Sequence, residues 1–311
     1  MATKRWQGNT SALWDTAANW IGGAVPVAGD DVQMLSGDKG ANYCTTGPAS
    51  AITINSLTIT IAASVGGPNI LMSNGQKVSI STTFSYTDAA GMPSNGNLVG
   101  SSSGSYPILL NGCTGTATVQ PPTLLQRTMY LQVDAGATLT MTPRAYNNPT
   151  NDYGVAGYYG PMSGTLTMDA GSSPSAQVYI SSAGAGAVIN MNNSGRGTST
   201  ILAATGAFTL NVNGQSVFSC PSAVWPHSHT FNVNAPAVFT GTAPEGISAN
   251  QAFNAAASLT LGNFMIASGK TVTVNVLSPD AEIVPVDVTG SGTLAVVGRY
   301  ARGLSGTMAR G

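Results

Sequence analysis

The chain reads as all-β: a coiled, β-solenoid-like body behind a tryptophan-rich N-terminal cap. Three observations carry this. Apolar residues alternate with Thr, Ser, Asn or Gln in many short runs; the inward phase slips at one point; and a loose phrase recurs along the chain. Period-two alternation is the signature of strands with one buried and one solvated face. An antiparallel β-sandwich or jelly roll is the alternative that the same patterns allow.

From the N-terminus, residues 1–35 form the cap and a docking segment, in which Trp6, Trp14 and Trp20 bring large apolar area to a glycine-rich stretch. "DTAAN" suits a short helical turn with Asp15 as its N-cap. Asp30 and Asp31 stand where a strand begins, on opposite faces, and suit bonding to backbone N–H groups. In "AITINSLTITI", Ile52 and Ile54 give way to Leu57, Ile59 and Ile61, so the phase slips at Asn55-Ser56. That demands a bulge or a corner. The body, 36–297, then carries alternating runs at Val78 and Ile80, Met129 to Val133, Leu139 and Met141, Leu166 and Met168, Phe208 to Val212, and Val272 to Val276.

Recurring phrases ("AGATLTM", "SGTLTM", "TGAFTLNV", "AASLTLGN", "SGTLAVV") are unevenly spaced, which makes the repeat degenerate. Residues 143–164, "PRAYNNPTNDYGVAGYYGPMSG", read as a long loop with Tyr146, Tyr153, Tyr158 and Tyr159 among Asn, Gly and Pro. Residues 298–311 form a basic tail with Arg299, Arg302 and Arg310.

Composition narrows the function. Charged residues are 7% of the chain, against roughly a quarter in an ordinary soluble domain, so the polar surface is hydroxyl and amide. With 42% apolar residues the chain forms a core and is not disordered. A net charge of −1 leaves little repulsion between copies and favours association. No apolar run reaches the length of a membrane helix and no secretory signal is visible, which implies retention in a cytoplasm. Scattered Lys and Arg give no nucleic-acid footprint. Cys44, Cys113 and Cys220, odd in number and far apart, suit buried free thiols.

"W-x-G" at Trp6 and Gly8, then "WDTAANW", then Pro26, Gly29, Asp30, Asp31 and Val32, resembles an N-terminal phrase of β-solenoid proteins of the autotransporter type and of bacteriophage virions. The resemblance spans about the first 35 residues and brings no catalytic residue with it. It implies a virion protein assembled in the host cytoplasm, without enzymatic activity or cofactor. The expected role is capsid decoration or cement: a homotrimer, stabilising the phage head through the major capsid protein or other virion subunits. Lys4, Arg5, Arg299, Arg302 and Arg310 would pin it to neighbours, and the tyrosine loop would either fold over its own scaffold or touch a subunit or a host glycan. A tail fibre or tailspike protein that binds a host surface polysaccharide is the alternative.

Candidate chemistry is sparse. His227 and His229 share one face of "WPHSHTF", and three such pairs could surround a metal on a trimer axis, although no carboxylate stands near to orient the rings. Asp280 and Glu282 look like a strand end, not a hydrolase pair, because Val284, Val286 and Val288 continue their face. Gly-rich stretches such as "GAGAV" lack the lysine of a P-loop.

Overall fold

The computed structural model describes residues 1–38, 44–61, 76–88, 96–99, 108–119, 126–143, 155–169, 176–192, 198–221, 224–242 and 247–298. Among these residues there is no α-helix, only short 3-10 stretches at Ala17–Asn19 and at Val224, and every strand pair with a defined register runs parallel. Successive strands of a sandwich or jelly roll would pair antiparallel through hairpins. Here each strand pairs with its counterpart one coil away, so the fold is a parallel β-solenoid and the jelly-roll alternative falls.

The chain divides into two compact units. The first comprises 1–160, 164–166 and 171–175; the second comprises 161–163, 167–170 and 176–311. Strands of the first unit are β1 (Thr3–Arg5), β2 (Asp31–Leu35), β3 (Ile52–Ile61), β4 (Val78–Asp88), β5 (Gly96–Val99), β6 (Ile108–Leu110), β7 (Thr114–Val119), β8 (Gln126–Tyr130), β9 (Gln132–Val133) and β10 (Thr138–Pro143). β11 (Val155–Met162) and β12 (Thr165–Met168) belong partly to each unit.

In the first unit β1, β2, β3 and β4 stack in order, and β4 then divides: its first half pairs with β6 and its second with β7. The slip at Asn55-Ser56 is a bulge. Ile54 sits opposite Ile80 but Ser56 opposite Thr83, so β4 carries one extra residue. Across it Ser81 Oγ donates to the Ile54 carbonyl at 3.2 Å and Thr82 Oγ1 to Asn55 Oδ1 at 2.5 Å, while on the β2 side Asn55 Nδ2 and Ser56 Oγ both donate to Asp31 at 2.6 Å. The bulge re-phases the strand, which keeps Ile54 and Leu57 both in the core.

The second unit is more regular. One row is β13 (Ala176–Ala183), β15 (Thr198–Ile201), β17 (Ser216–Pro221), β19 (Ala237–Thr242), β21 (Leu259–Ile266) and β23 (Ile283–Gly290). The other is β14 (Val188–Met191), β16 (Thr209–Val212), β18 (Thr230–Val233), β20 (Gln251–Ala255), β22 (Thr271–Val276) and β24 (Thr293–Val297). Parallel in-register stacking places like above like. Ile189, Leu210, Phe231, Phe253 and Val274 form one core column; Met191, Val212, Val233, Ala255 and Val276 form the next.

Phe231 and Phe253 stack with centroids 4.4 Å apart, and Phe218 stacks on Phe239 at 5.0 Å. Each buried ring contributes about 1.5–3 kcal/mol by leaving water, and an aromatic pair adds roughly 0.5–1.5 kcal/mol. At one corner Asn263 and Asp287, opposite each other in successive coils, both take φ near +55° (55° and 54°). Asn and Asp are the non-glycine residues that tolerate this left-handed region best.

Two expectations are corrected here. The loop at 143–164 is shorter than its composition suggests, because Pro143 ends β10 and residues 155–162 form β11. Gly160 is required there by close approach, since a Cβ would lie 1.9 Å from the Leu131 carbonyl oxygen. Glycine and proline suggested a turn, but they serve a strand. Asp15 is not an N-cap: the turn at Ala17–Asn19 is preceded by Thr16 without a side-chain cap, and the Asp15 carboxylate accepts from the Ala49 N–H at 2.7 Å.

Candidate functional site

The opening phrase is spent on the fold. Trp6 bridges Trp20 through the backbone, and Trp20 meets Trp6 and Trp14 edge-on at 5.1 and 5.0 Å. All three rings are buried, with Trp6 the most accessible at 3%. Trp20 Nε1 donates to the Trp14 carbonyl at 2.7 Å, whereas Trp14 Nε1 is buried without an acceptor. Buried Asn19 fixes the turn: its Oδ1 accepts from the Thr10 and Ser11 N–H groups, and its Nδ2 donates to Ser11 Oγ and the Leu13 carbonyl. Rings held in this way cannot stack on a sugar.

Asp30, also buried, accepts from the N–H groups of Val27 and Ala2. Burial pushes its pKa up, but those two bonds and the positive charge of Lys4 and the N-terminus outweigh it, so the carboxyl titrates below its ordinary value. Asp31 is lowered as well, by the Ser56 and Asn55 side chains; it therefore bonds side chains where backbone partners were expected. Of the basic residues near the N-terminus, Lys4 lies in β1 opposite Val32. Arg5 forms a bidentate pair with Asp38 at 2.6 and 2.7 Å, so it is tied to its own first coil.

A shallow depression of about 260 Å³ lies beside this cap, between Leu13, Asp15, Pro48 and Gln76. One oxygen of its only carboxylate is already committed to Ala49.

Tyr158 is wholly buried, in line with the alternation of β11, and is not a surface contact. Tyr159 lies opposite Tyr130 in the ladder. Tyr146, Tyr153, Arg299, Arg302 and Arg310 lie outside the described residues.

The histidines are not a matched pair on an extended face. His229 is buried, stacked on Phe208 with centroids 3.9 Å apart. Its Nδ1 accepts from the Phe208 N–H at 3.3 Å, which leaves Nε2 to donate to the Val224 carbonyl at 2.6 Å. Both ring nitrogens are thus engaged within the chain, and burial pushes the pKa down to about 4. A neutral, doubly bonded imidazole offers no metal a lone pair. His227 sits half-buried in the preceding turn, and its carbonyl accepts from Gln251 Nε2. Asp280 and Glu282 are exposed and precede β23. Cys44, Cys113 and Cys220 are buried free thiols; burial pushes Cys220 up to about 12 and raises the other two.

The feature that sequence reading missed is a pair of asparagine ladders on the second unit. Asn275, Asn254, Asn232 and Asn211 each donate from Nδ2 to the Asn Oδ1 one coil earlier at 2.7–2.8 Å, and Asn190 donates to Thr167 Oγ1 at 3.0 Å. Asn234, Asn213 and Asn192 form a second, exposed ladder at 2.7–2.8 Å. Their sequence spacing of 21 or 22 residues is the regular period that the apolar phrases obscured. Between 176 and 269 the described residues include no Asp, Glu, Lys or Arg.

The chain matches no protein-family model, curated protein or solved structure.

Proposed function

We propose that this chain is a non-enzymatic structural protein of a bacteriophage particle, acting as a head decoration or cement protein. The observation that carries the proposal is the laddered face of the second unit. Its ladder amides are already bonded to one another, its strands stack in register, and between 176 and 269 its described residues include no Asp, Glu, Lys or Arg to repel a protein neighbour. Such a face adds buried interface at low desolvation cost, which is how a cement protein would resist internal pressure. The opening tryptophan phrase, resembling that of virion solenoid proteins, supports the same reading.

A tail fibre or tailspike role is the second reading, favoured by the coiled parallel architecture itself. Immunogold labelling of purified particles with an antibody against the chain tests the choice. Gold over heads, with heads breaking at lower temperature when the protein is removed, is the expected result. Gold at the tail tip would overturn the head assignment in favour of the second reading.

A further inference from the structure

Asparagine followed by glycine is the pair at which a chain most readily attacks itself, because glycine has no Cβ to crowd its nitrogen as it swings toward the asparagine side chain. Two such pairs lie wholly within the described residues: Asn111-Gly112 in the first unit and Asn213-Gly214 in the second. Each follows a strand directly, β6 and β16, at the turn toward the next strand of its coil. The two pairs share a sequence and a place in the coil, yet their surroundings are opposite.

Asn213-Gly214 is fastened at the groups that the attack would use. The Asn213 carboxamide donates to Asn192 Oδ1 at 2.7 Å and accepts from Asn234 Nδ2 at 2.8 Å, while the Gly214 N–H donates to the Met191 carbonyl at 2.9 Å. Gly214 is also buried. Closing a ring there must first break these bonds, so the ladder that orders the side chains shields them as well.

Asn111-Gly112 has no such fastening. Both residues are exposed, and among the described residues neither the Asn111 carboxamide nor the Gly112 N–H makes a hydrogen bond. Asn111 is anchored through its backbone N–H, which donates to the Ile80 carbonyl at 3.0 Å. A Cβ placed on Gly112 would meet nothing within 4 Å, so the space about the turn is open.

We propose that Asn111 is a site of spontaneous covalent modification, deamidating in water while the matching turn at Asn213 is preserved. The Gly112 nitrogen forms a bond to Asn111 Cγ, the Cγ–Nδ2 bond breaks, and ammonia leaves with the Gly112 amide proton. Water then opens the succinimide: attack at Cγ yields aspartate, and attack at the backbone carbonyl yields isoaspartate, with the chain running on through Cγ. Water is the one co-reactant. Leu110 pairs with Val133, so the new carboxylate stands one coil from Asp134, a like charge. Isoaspartate also lengthens the backbone at a corner where a Cβ on Gly136 would already stand 3.9 Å from Gly112 Cα. This chemistry holds whether or not the protein belongs to a virion.

The test ages the full-length chain in mildly alkaline heavy-oxygen water and follows label at both sites by tandem mass spectrometry of the peptides that span them. In the folded chain Asn111 should convert faster than Asn213 by about tenfold or more, and in urea the two rates should converge, because the hydrogen bonds that separate them exist only in the fold. Asn192→Ala, which removes the acceptor of the Asn213 amide, should speed conversion at Asn213 severalfold and leave Asn111 unchanged. A folded rate at Asn111 no higher than that at Asn213 overturns the proposal. So does an advantage for Asn111 that persists in urea, since the neighbouring sequence and not the fold would then set it. An Asn213 rate unmoved by Asn192→Ala overturns it as well.

Discussion

Replacing Asn232 with Ala removes two ladder bonds at once, its own donation to Asn211 and the one it accepts from Asn254. A neutral hydrogen bond contributes about 0.5–1.5 kcal/mol net, so the loss should be about 1–3 kcal/mol. Both orphaned amides are only half-buried, and water reaching them holds the figure toward the lower part of that range. Asn275→Ala, at the end of the ladder, breaks one bond and should cost about half as much. Asn232→Asp sharpens the test, because a carboxylate there would face the Asn211 oxygen with no proton to donate. Its pKa is raised in the fold relative to the unfolded chain, so the variant's deficit should shrink below about pH 4 and grow as pH rises through the folded value. Urea midpoints for the three variants, each referred to wild type at the same pH, supply the measurement. Equal costs for Asn232→Ala and Asn275→Ala would refute the reasoning, since the ladder would then be solvated instead of cooperative.

Further expectations follow from other sites. His229 is neutral in the fold with a pKa of about 4, below its unfolded value of about 6.5, so the folded state binds fewer protons. Stability should be complete above about pH 6.5 and fall by about 2–3 kcal/mol toward pH 4, with the slope abolished in His229→Gln; urea titrations across that window check it. Trp14→Phe should cost clearly less than Trp20→Phe, because Trp14 Nε1 has no acceptor to lose whereas Trp20 Nε1 bonds the Trp14 carbonyl; thermal melts of the two variants decide. Tyr158→Ala should destabilise the fold by about 3–5 kcal/mol as a core cavity, read as a lower urea midpoint, and an unchanged midpoint would restore the surface reading of that tyrosine. Gly160→Ala should fold poorly or not at all, judged by soluble yield and circular dichroism, because nothing flexible separates the new Cβ from the Leu131 carbonyl.

The coiled all-β class and most of the core were legible because alternation survives wherever one face is sealed: Val78, Leu139, Leu210 and Val274 all lie inward as their phase requires. The bulge was legible for the same reason, as a break in phase. Tyr158 was misread because proline, glycine and tyrosine together suit a loop, and only the proximity of Leu131 across the coil explains Gly160. The placement of His227 and His229 on one face of an extended segment failed because Trp225 and Pro226 lie in a turn. The asparagine ladder stayed hidden for a different reason: polar positions were treated as generic solvated faces, although Asn at 190, 211, 232, 254 and 275 holds a tighter period than the apolar phrases around it.

In those ladders each amide answers only to the coil below and the coil above. The second unit is therefore built on a modulus: adding or deleting one whole coil of 21 or 22 residues leaves every remaining amide with a partner of the same kind, while a change of a few residues leaves a gap. Length in such a protein can drift over generations in whole coils, so relatives would differ in reach before they differ in surface.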